Sequence, residues 1–242
     1  MASEVQVGGR PKAGDAEAPT SRVVTAAPTD VARSQSEEAY LRIRDRIVCL
    51  EMAPGSVVQE ARLRAELEIG RTPIREALQR LAQENLVRSI PHRGTFVTNV
   101  NITDLARITE VRVTLEGRAA RLAAERAGAA DKAAMRELLD GLEAGGAADQ
   151  RELMRLDQQI HRVIYRAARN PFLESTLERY FNLSLRLWFM VIDRGVRLRE
   201  AVAEHAALLR AVLTGDGTLA EETMERHVTG FELEIRKVLV ER

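Results

Sequence analysis

One cysteine, Cys49, in 242 residues leaves no internal disulfide and no cysteine-built zinc site, and it suits a reducing cytoplasm. Aromatic residues are scarce at 4%, while Ala, Leu, Arg and Glu abound, which favours helix bundles over sandwiches. Neither sign of charge prevails: 36 Lys and Arg stand against 36 Asp and Glu. No global field therefore advertises an acidic partner, and any surface for nucleic acid must be local. No apolar run approaches the roughly 20 residues of a membrane span, and the N-terminus lacks the apolar core of a secretion signal. The expectation is a cytoplasmic, mainly α-helical protein with no membrane partner, long enough for one large domain or two modest ones.

Residues 1–34 mix Gly, Pro, Ser, Thr, Ala and Val without aromatics or periodicity and read as a disordered tail. A capped amphipathic pattern follows, with Ala39, Ile43 and Ile47 on one face, and stops at the Pro-Gly turn of "MAPGS". A short helix over Gln59 to Leu67 and a third after Gly70 come next, the latter with Pro73 in its first turn. "LVRSIPHRGTFVTNV" then sets Val, Ile, Phe and Thr runs on both sides of "PHRG", the signature of a β-hairpin with a basic tip. It is the one strand signal in the sequence. Beyond Asn101 every segment is helical, over 104–127, 131–144, 149–169, 172–192, 198–214 and 218–240. Residues 35–100 thus read as a winged helix-turn-helix, three helices plus a β-hairpin, and 101–242 as an all-α bundle of six or seven helices.

The third helix can be laid on a wheel at about 100° per residue. Ile74, Ala77, Leu78 and Leu81 cluster on one side, leaving Thr72, Arg75, Gln79 and Gln83 on the other. Arg and Gln are the side chains that make bidentate contacts to guanine and adenine, and Thr reaches phosphates or bases. From Ile69 to Val100, Arg71, Arg75, Arg80, Arg88 and Arg93 outnumber Glu76 and Glu84, a basic patch that the overall balance conceals. A plain solvated face, with Arg80 paired to Glu76, is the alternative; the basic hairpin tip that follows favours DNA.

The stretch "APGSVVQEARLRAELEIGRTPIREALQRLAQENLVRSIPHRGTFV", residues 53–97, resembles the DNA-binding domain of GntR-family transcription regulators, and within them the FadR subfamily. That resemblance implies DNA contacts from Arg71, Thr72 and Arg75 on the recognition helix and from His92, Arg93 and Gly94 on the wing, in the minor groove. Gln79 joins them from the wheel alone. Two positions depart from the family pattern. Glu68-Ile69-Gly70 replaces the usual Gly-Val-Ser turn, so Glu68 must take the turn conformation with a Cβ, and Gly70 must cap the helix. Ala61 stands where some relatives carry an arginine that contacts DNA.

In the bundle, polar residues interrupt the apolar stripes. Asp157 falls within the stripe Leu153, Leu156, Ile160, Val163, Ile164, Ala167, and His161 lies at its edge one turn on. His205 sits among Val202, Ala206, Leu209, Val212 and Leu213, and His227 among Ala220, Met224, Val228, Phe231 and Ile235. Three of the four histidines therefore face inward from three helices. A buried carboxylate needs compensation, and three imidazoles with one carboxylate suit Zn, Ni, Mn or Fe(II) with positions left open. Separate core histidines bonded to carbonyls, with Asp157 paired to an arginine, is the other reading. The coincidence of three histidines with an acidic neighbour favours a divalent metal ion.

Asp-x3-His-x43-His-x21-His also resembles the FCD ligand-binding domain that follows the winged helix in FadR-subfamily regulators, as do "MRLDQQIHRVIYRAARNPFL", "EHAALLRAVLTGD" and "EETMERHVTG". The resemblance runs from about Asn101 onward. It implies that Asp157, His161, His205 and His227 hold the metal, often with a small carboxylate effector completing the coordination. Arg112, within the inward stripe Leu105, Ile108, Val111, Leu115, Ala119, Leu122, suits a carboxylate ligand or an ion pair with Glu116, and both roles stand open. Ser184 is a second candidate contact for effector, whereas Trp188 on the same stripe reads as core.

The expected function is a metabolite-responsive transcription regulator, not an enzyme: a homodimer on a near-palindromic operator, loosened from DNA by a small organic acid. A metal-dependent enzyme acting on such an acid, or a regulator with a purely structural metal, are the rivals. The enzyme lacks a second catalytic constellation, since Gln158 and Gln159 flank Asp157 and no His-Glu motif is present.

Overall fold

The structure is a computed structural model that describes residues 34–144, 150–192 and 198–240. The expected tail and the breaks expected around 145–149 and 193–197 lie outside the described residues, with one exception at the tail's end. Ser34, the last residue assigned to that tail, is the N-cap of the first helix, its Oγ accepting from the Glu37 amide.

The head is built from α1 (Gln35–Val48), α2 (Glu60–Leu67), α3 (Arg71–Gln83) and an antiparallel hairpin of β1 (Val87–Ile90) and β2 (Gly94–Val97). Register runs from Val87 opposite Val97 to Ile90 opposite Gly94. One face of each helix supplies the core: Ala39, Ile43 and Ile47 from α1, Leu63 and Leu67 from α2, Ile74, Leu78 and Leu81 from α3, closed by Val87 and Val97. The hairpin is not the only extended pairing. Val57 bridges Phe96, and the Val58 amide donates to the Thr95 carbonyl at 2.8 Å. Four residues between the Pro-Gly turn and α2 are too few to show alternation, so this added edge left no trace in the pattern.

The two positions flagged by the atypical turn resolve as geometry requires. Glu68 is left-handed, at φ 57 and ψ 33, and caps α2, while Gly70 is extended and caps α3 without a side-chain bond. At the hairpin tip His92 and Gly94 also have positive φ, 58 and 100. A Cβ at Gly94 would meet nothing within 4 Å, so backbone conformation rather than crowding asks for glycine there.

After a 3-10 turn at Ile102–Asp104 the bundle comprises α4 (Leu105–Arg126), α5 (Ala129–Glu143), α6 (Gln150–Ala167), α7 (Pro171–Phe189), α8 (Leu198–Thr214) and α9 (Gly217–Val240). The expected mainly helical class, with a two-stranded hairpin in the head, is thus what the chain forms. Helix α4 is central and packs against α6, α7, α8 and α9. Small residues allow this: Ala119, Ala120 and Ala123 are fully buried, and a Cβ on Gly117 would come within 2.8 Å of the Glu225 Cγ on α9. Helix α7 starts at Asn170, whose side chain accepts from the Phe172 and Leu173 amides with Pro171 next. It packs on α1 and sends Leu183 against the head's apolar cluster. No helix among the described residues is long and apolar enough to cross a membrane.

A non-glycine residue held left-handed costs about 1 kcal/mol. No hydrogen bond or ion pair of the Glu68 side chain offsets this among the described residues. Glu68→Gly should therefore stabilise the head by about 0.5–1 kcal/mol, read as a higher urea midpoint at unchanged slope. A lower midpoint would mean that the glutamate makes a contact outweighing the strain.

Candidate metal centre and nucleic-acid interface

Helix α3 turns Ile74, Ala77, Leu78 and Leu81 inward, so Arg71, Thr72, Arg75 and Gln79 are left exposed, as are His92, Arg93 and Gly94 at the hairpin tip. Arg80 does not belong to this surface. Its Nη1 donates to Glu37 at 2.6 Å, its Nε lies 3.5 Å from Glu84, and its guanidinium sits 3.5 Å over the Tyr40 ring. The Tyr40 hydroxyl in turn donates to Glu84 at 3.0 Å, and burial together with that carboxylate pushes Tyr40 up to about 12. Arg80 thus rivets α3 to α1, with Glu37 and Glu84 rather than the expected Glu76. Arg71, Arg75, Arg88 and Arg93 are exposed on the helix and wing and form no ion pair among the described residues.

In the bundle, Asp157 and His161 project from α6, His205 from α8 and His227 from α9 into one point. One ligand atom from each of the four lies within 4.8 Å of all the others. His161 Nε2 is 3.2 Å from His205 Nε2 and 3.3 Å from His227 Nε2. Asp157 Oδ1 stands 3.8 Å from His161 Nε2 and 3.7 Å from His205 Nε2. The three rings are essentially buried, and Asp157 is nearly so.

The other ring nitrogens decide where the protons are. His205 Nδ1 lies 3.1 Å from the Val202 carbonyl, which can only accept, so Nδ1 carries the hydrogen. His161 Nδ1 faces Glu116 Oε2 at 2.8 Å, and His227 Nδ1 faces Glu204 Oε2 at 3.3 Å. Both donate to carboxylates. Burial, then the neighbouring His227 and His161 rings, hold His205 well below the usual histidine value, so its imidazole is neutral. In the neutral form of each ring Nε2 is a bare lone pair, turned toward its neighbours and toward a carboxylate oxygen. Ligand nitrogens on a tetrahedral ion with bonds of about 2.0–2.1 Å sit about 3.3–3.4 Å apart. The His161–His205 and His161–His227 separations match that spacing, and Asp157 stands somewhat farther out from His161 and His205. The donor set fits a divalent cation.

Behind this cluster is a layer that the sequence reading named only in part. Arg112 donates through Nε to Glu116 Oε1 at 2.5 Å and through Nη1 to Ser184 Oγ at 2.8 Å. Of the two roles left open for Arg112, the ion pair with Glu116 is realised, and Ser184 is its second acceptor. Burial would raise Glu116, but Arg112 and His161 overcome it and hold the carboxyl at about 2. Glu116 therefore orients His161 as a fixed anion, the usual outer partner of a metal-binding imidazole. Tyr165, one turn past His161, is buried beside the same pair, its hydroxyl 3.2 Å from His161 Nδ1. The Phe181 ring lies 4.7 Å from the His161 ring, and Trp188 stacks on Phe231 as core. Glu116 and Tyr165 were missed as site residues. The one available signal was Glu116 at i+4 from Arg112, on a helix whose partners sequence cannot place.

Residues 35–97 match the family described as bacterial regulatory proteins, gntR family, and residues 107–230 match the FCD domain. An uncharacterized HTH-type transcriptional regulator in an unstable DNA locus of Streptomyces ambofaciens is 31% identical over 209 residues, 85% of this chain and 87% of the relative. A probable D-xylose utilization operon transcriptional repressor of Paenarthrobacter nicotinovorans is 32% identical over 205 residues, covering 78% of this chain and 85% of the relative. Among solved structures, McbR/YncC of E. coli shares the fold, with a TM-score of 0.74 at 22% identity over 85% of this chain and 99% of that one. With the fold, the exposed basic helix and both domain matches in agreement, the chain belongs to the GntR family of bacterial transcription regulators, in the FadR-type branch that carries an FCD domain.

Proposed function

We propose that this regulator is a repressor whose hold on its operator is set by a small organic acid bound at a divalent metal ion in the bundle. Residues 35–100 read DNA and residues 101–242 sense the acid. The observation that carries the sensing half is the convergence of three imidazole lone pairs and the Asp157 oxygen. Asp157, His161, His205 and His227 hold the ion, which supplies a Lewis-acidic point for the carboxylate. Arg112 uses two of its five N–H bonds on Glu116 and Ser184, and the rest can meet the incoming acid, with Ser184 beside it. An enzymatic reading is poorly supported. The relatives are transcription regulators, and the carboxylates beside the cluster, Glu116 and Glu204, both accept from imidazoles rather than standing free as a base.

In the head, Arg71, Thr72, Arg75 and Gln79 enter the major groove while His92, Arg93 and Gly94 reach the minor groove. A homodimer places two such heads about one helical turn apart on a near-palindromic site. A route for coupling lies along α7. Ser184 meets the Arg112–Glu116–His161 chain, while Leu183 and Arg186 on the same helix rest on the head. Acid and operator affinities must then be linked reciprocally. The expected sign is that acid weakens DNA binding; a gel-shift series in which acids tighten the complex would reverse it.

Arg75→Ala should cost about 1–3 kcal/mol of operator affinity if it reads a base. Arg80→Ala should instead lower the melting temperature and leave the affinity of the folded fraction unchanged. Equal affinity of the unmutated protein for cognate and scrambled DNA would remove the premise. For the sensing half, zinc, nickel or manganese alone should raise the melting temperature of chelator-treated protein, and His205→Ala should abolish the rise. Acetate, lactate and malonate are then added. An acid that stabilises only metal-loaded protein supports a sensor; consumption of that acid points to an enzyme, and no metal uptake ends the reading.

A further inference from the structure

Helices α4 and α7 each turn a second face toward the head, away from the histidine cluster. Between them and the end of β2 lies a cleft of about 690 Å³, within the range of pockets that take small molecules. Leu183 and Leu187 from α7 and Ile108 and Val111 from α4 make an apolar wall, while Asn85, Asn99 and Asn101 line the side toward the head. At its rim are Arg88 from β1 and Arg107, the latter paired with Asp104 at 3.2 Å.

Arg186 also lines this cleft and is the unusual group in it. It is 1% exposed, yet no carboxylate pairs with it among the described residues. Nη1 donates to Thr98 Oγ1 at 2.7 Å and Nη2 to the Thr98 carbonyl at 2.5 Å, both neutral acceptors, and Nε has no hydrogen-bond partner. Burial alone depresses this guanidinium to about 10, and no nearby acid offsets it. The other buried arginines differ: Arg112 is paired with Glu116 and Arg44 with Asp45. A buried cation without a counter-charge is costly to keep, and the one here stands at an opening wide enough to admit an anion.

We propose that the cleft between head and bundle is a second ligand site, taking a small carboxylate with a compact apolar body and anchored on Arg186. The carboxylate accepts from Nε and a remaining Nη hydrogen, and the apolar body packs between α4 and α7. Such a ligand touches Arg88 and Thr98 of the head together with both helices, so it fastens head to bundle. The site shares no lining residue with the histidine cluster and stands or falls independently of it.

Benzoate is a suitable probe, with benzamide as the uncharged match in shape. Calorimetric titration of the chelator-treated full-length protein should show saturable binding of benzoate and at least tenfold weaker binding of benzamide. Arg186→Met should weaken benzoate at least tenfold, and His205→Ala should leave it unchanged. Ile108→Trp, which adds bulk to the cleft from α4 and leaves the arginine in place, should also abolish binding and covers the case in which Arg186→Met does not fold. Benzoate that binds as before to Ile108→Trp, or that loses its site in His205→Ala, would overturn the assignment. So would the absence of binding at millimolar concentrations by both benzoate and the branched aliphatic isovalerate.

Discussion

Three neutral imidazoles whose Nδ1 hydrogens are already committed offer lone pairs at Nε2, and in this bundle all three offers are made to the same point. Lone pairs 3.2–3.3 Å apart, with a carboxylate oxygen close by, repel one another unless something positive lies among them. The commitment comes from three different places. A backbone carbonyl fixes His205, a buried anion fixes His161, and an exposed glutamate fixes His227. A cation here would tie α6, α8 and α9 together directly and α4 through Glu116. It would also replace an unfavourable feature of the core with coordination bonds. The head's packing owes nothing to this constraint, which is why the two halves of the functional reading can be tested apart.

Much of the fold could be read from the chain because it is written in local signals. The 3.6-residue stripes of α3 and α6 survive unchanged in the structure, and Glu68 takes the left-handed conformation demanded by a turn without its glycine. What escaped was what depends on neighbours distant in sequence. Arg80 looked like part of a basic face because Glu76 was its visible partner. Its actual partners are Glu84, one turn on at the end of the same helix, and Glu37 and Tyr40 on α1, far away in sequence. Glu116 was visible only as a mate for Arg112, since nothing in α4 announces that His161 will arrive opposite its second oxygen. Arg186 gave no signal at all, because its exceptional property is the absence of an acid, and absence of a tertiary partner has no local signature.

Helix α7 is where these distant relations accumulate. On one side, Phe181 lies against the His161 ring and Ser184 accepts from Arg112; on another, Leu183 packs into the head and Arg186 grips Thr98. Thr98 is itself a junction. Its hydroxyl donates to the Asn85 and Leu86 carbonyls, just beyond the C-terminal end of α3. A short covalent and hydrogen-bonded chain therefore runs from a candidate metal ligand to the residues that follow the recognition helix. Adjacency is not coupling, and the physical requirement is that α7 have two arrangements of similar energy that the two ligands bias differently.

The size of that requirement is modest. Allosteric coupling free energies of about 1–3 kcal/mol change affinity by roughly 5–150-fold. A hydrogen bond to a charged group contributes about 1.5–3 kcal/mol. Loosening one of the two bonds from Arg186 to Thr98 is therefore of the right order to account for a regulatory response, without any rearrangement of the bundle. A guanidinium with a full carboxylate partner would be too firmly held for this, because parting a buried ion pair costs about 3–5 kcal/mol. Neutral acceptors at Thr98 make the joint strong enough to orient the head and weak enough to yield, and the same lack of a counter-ion leaves the joint open to a second anion.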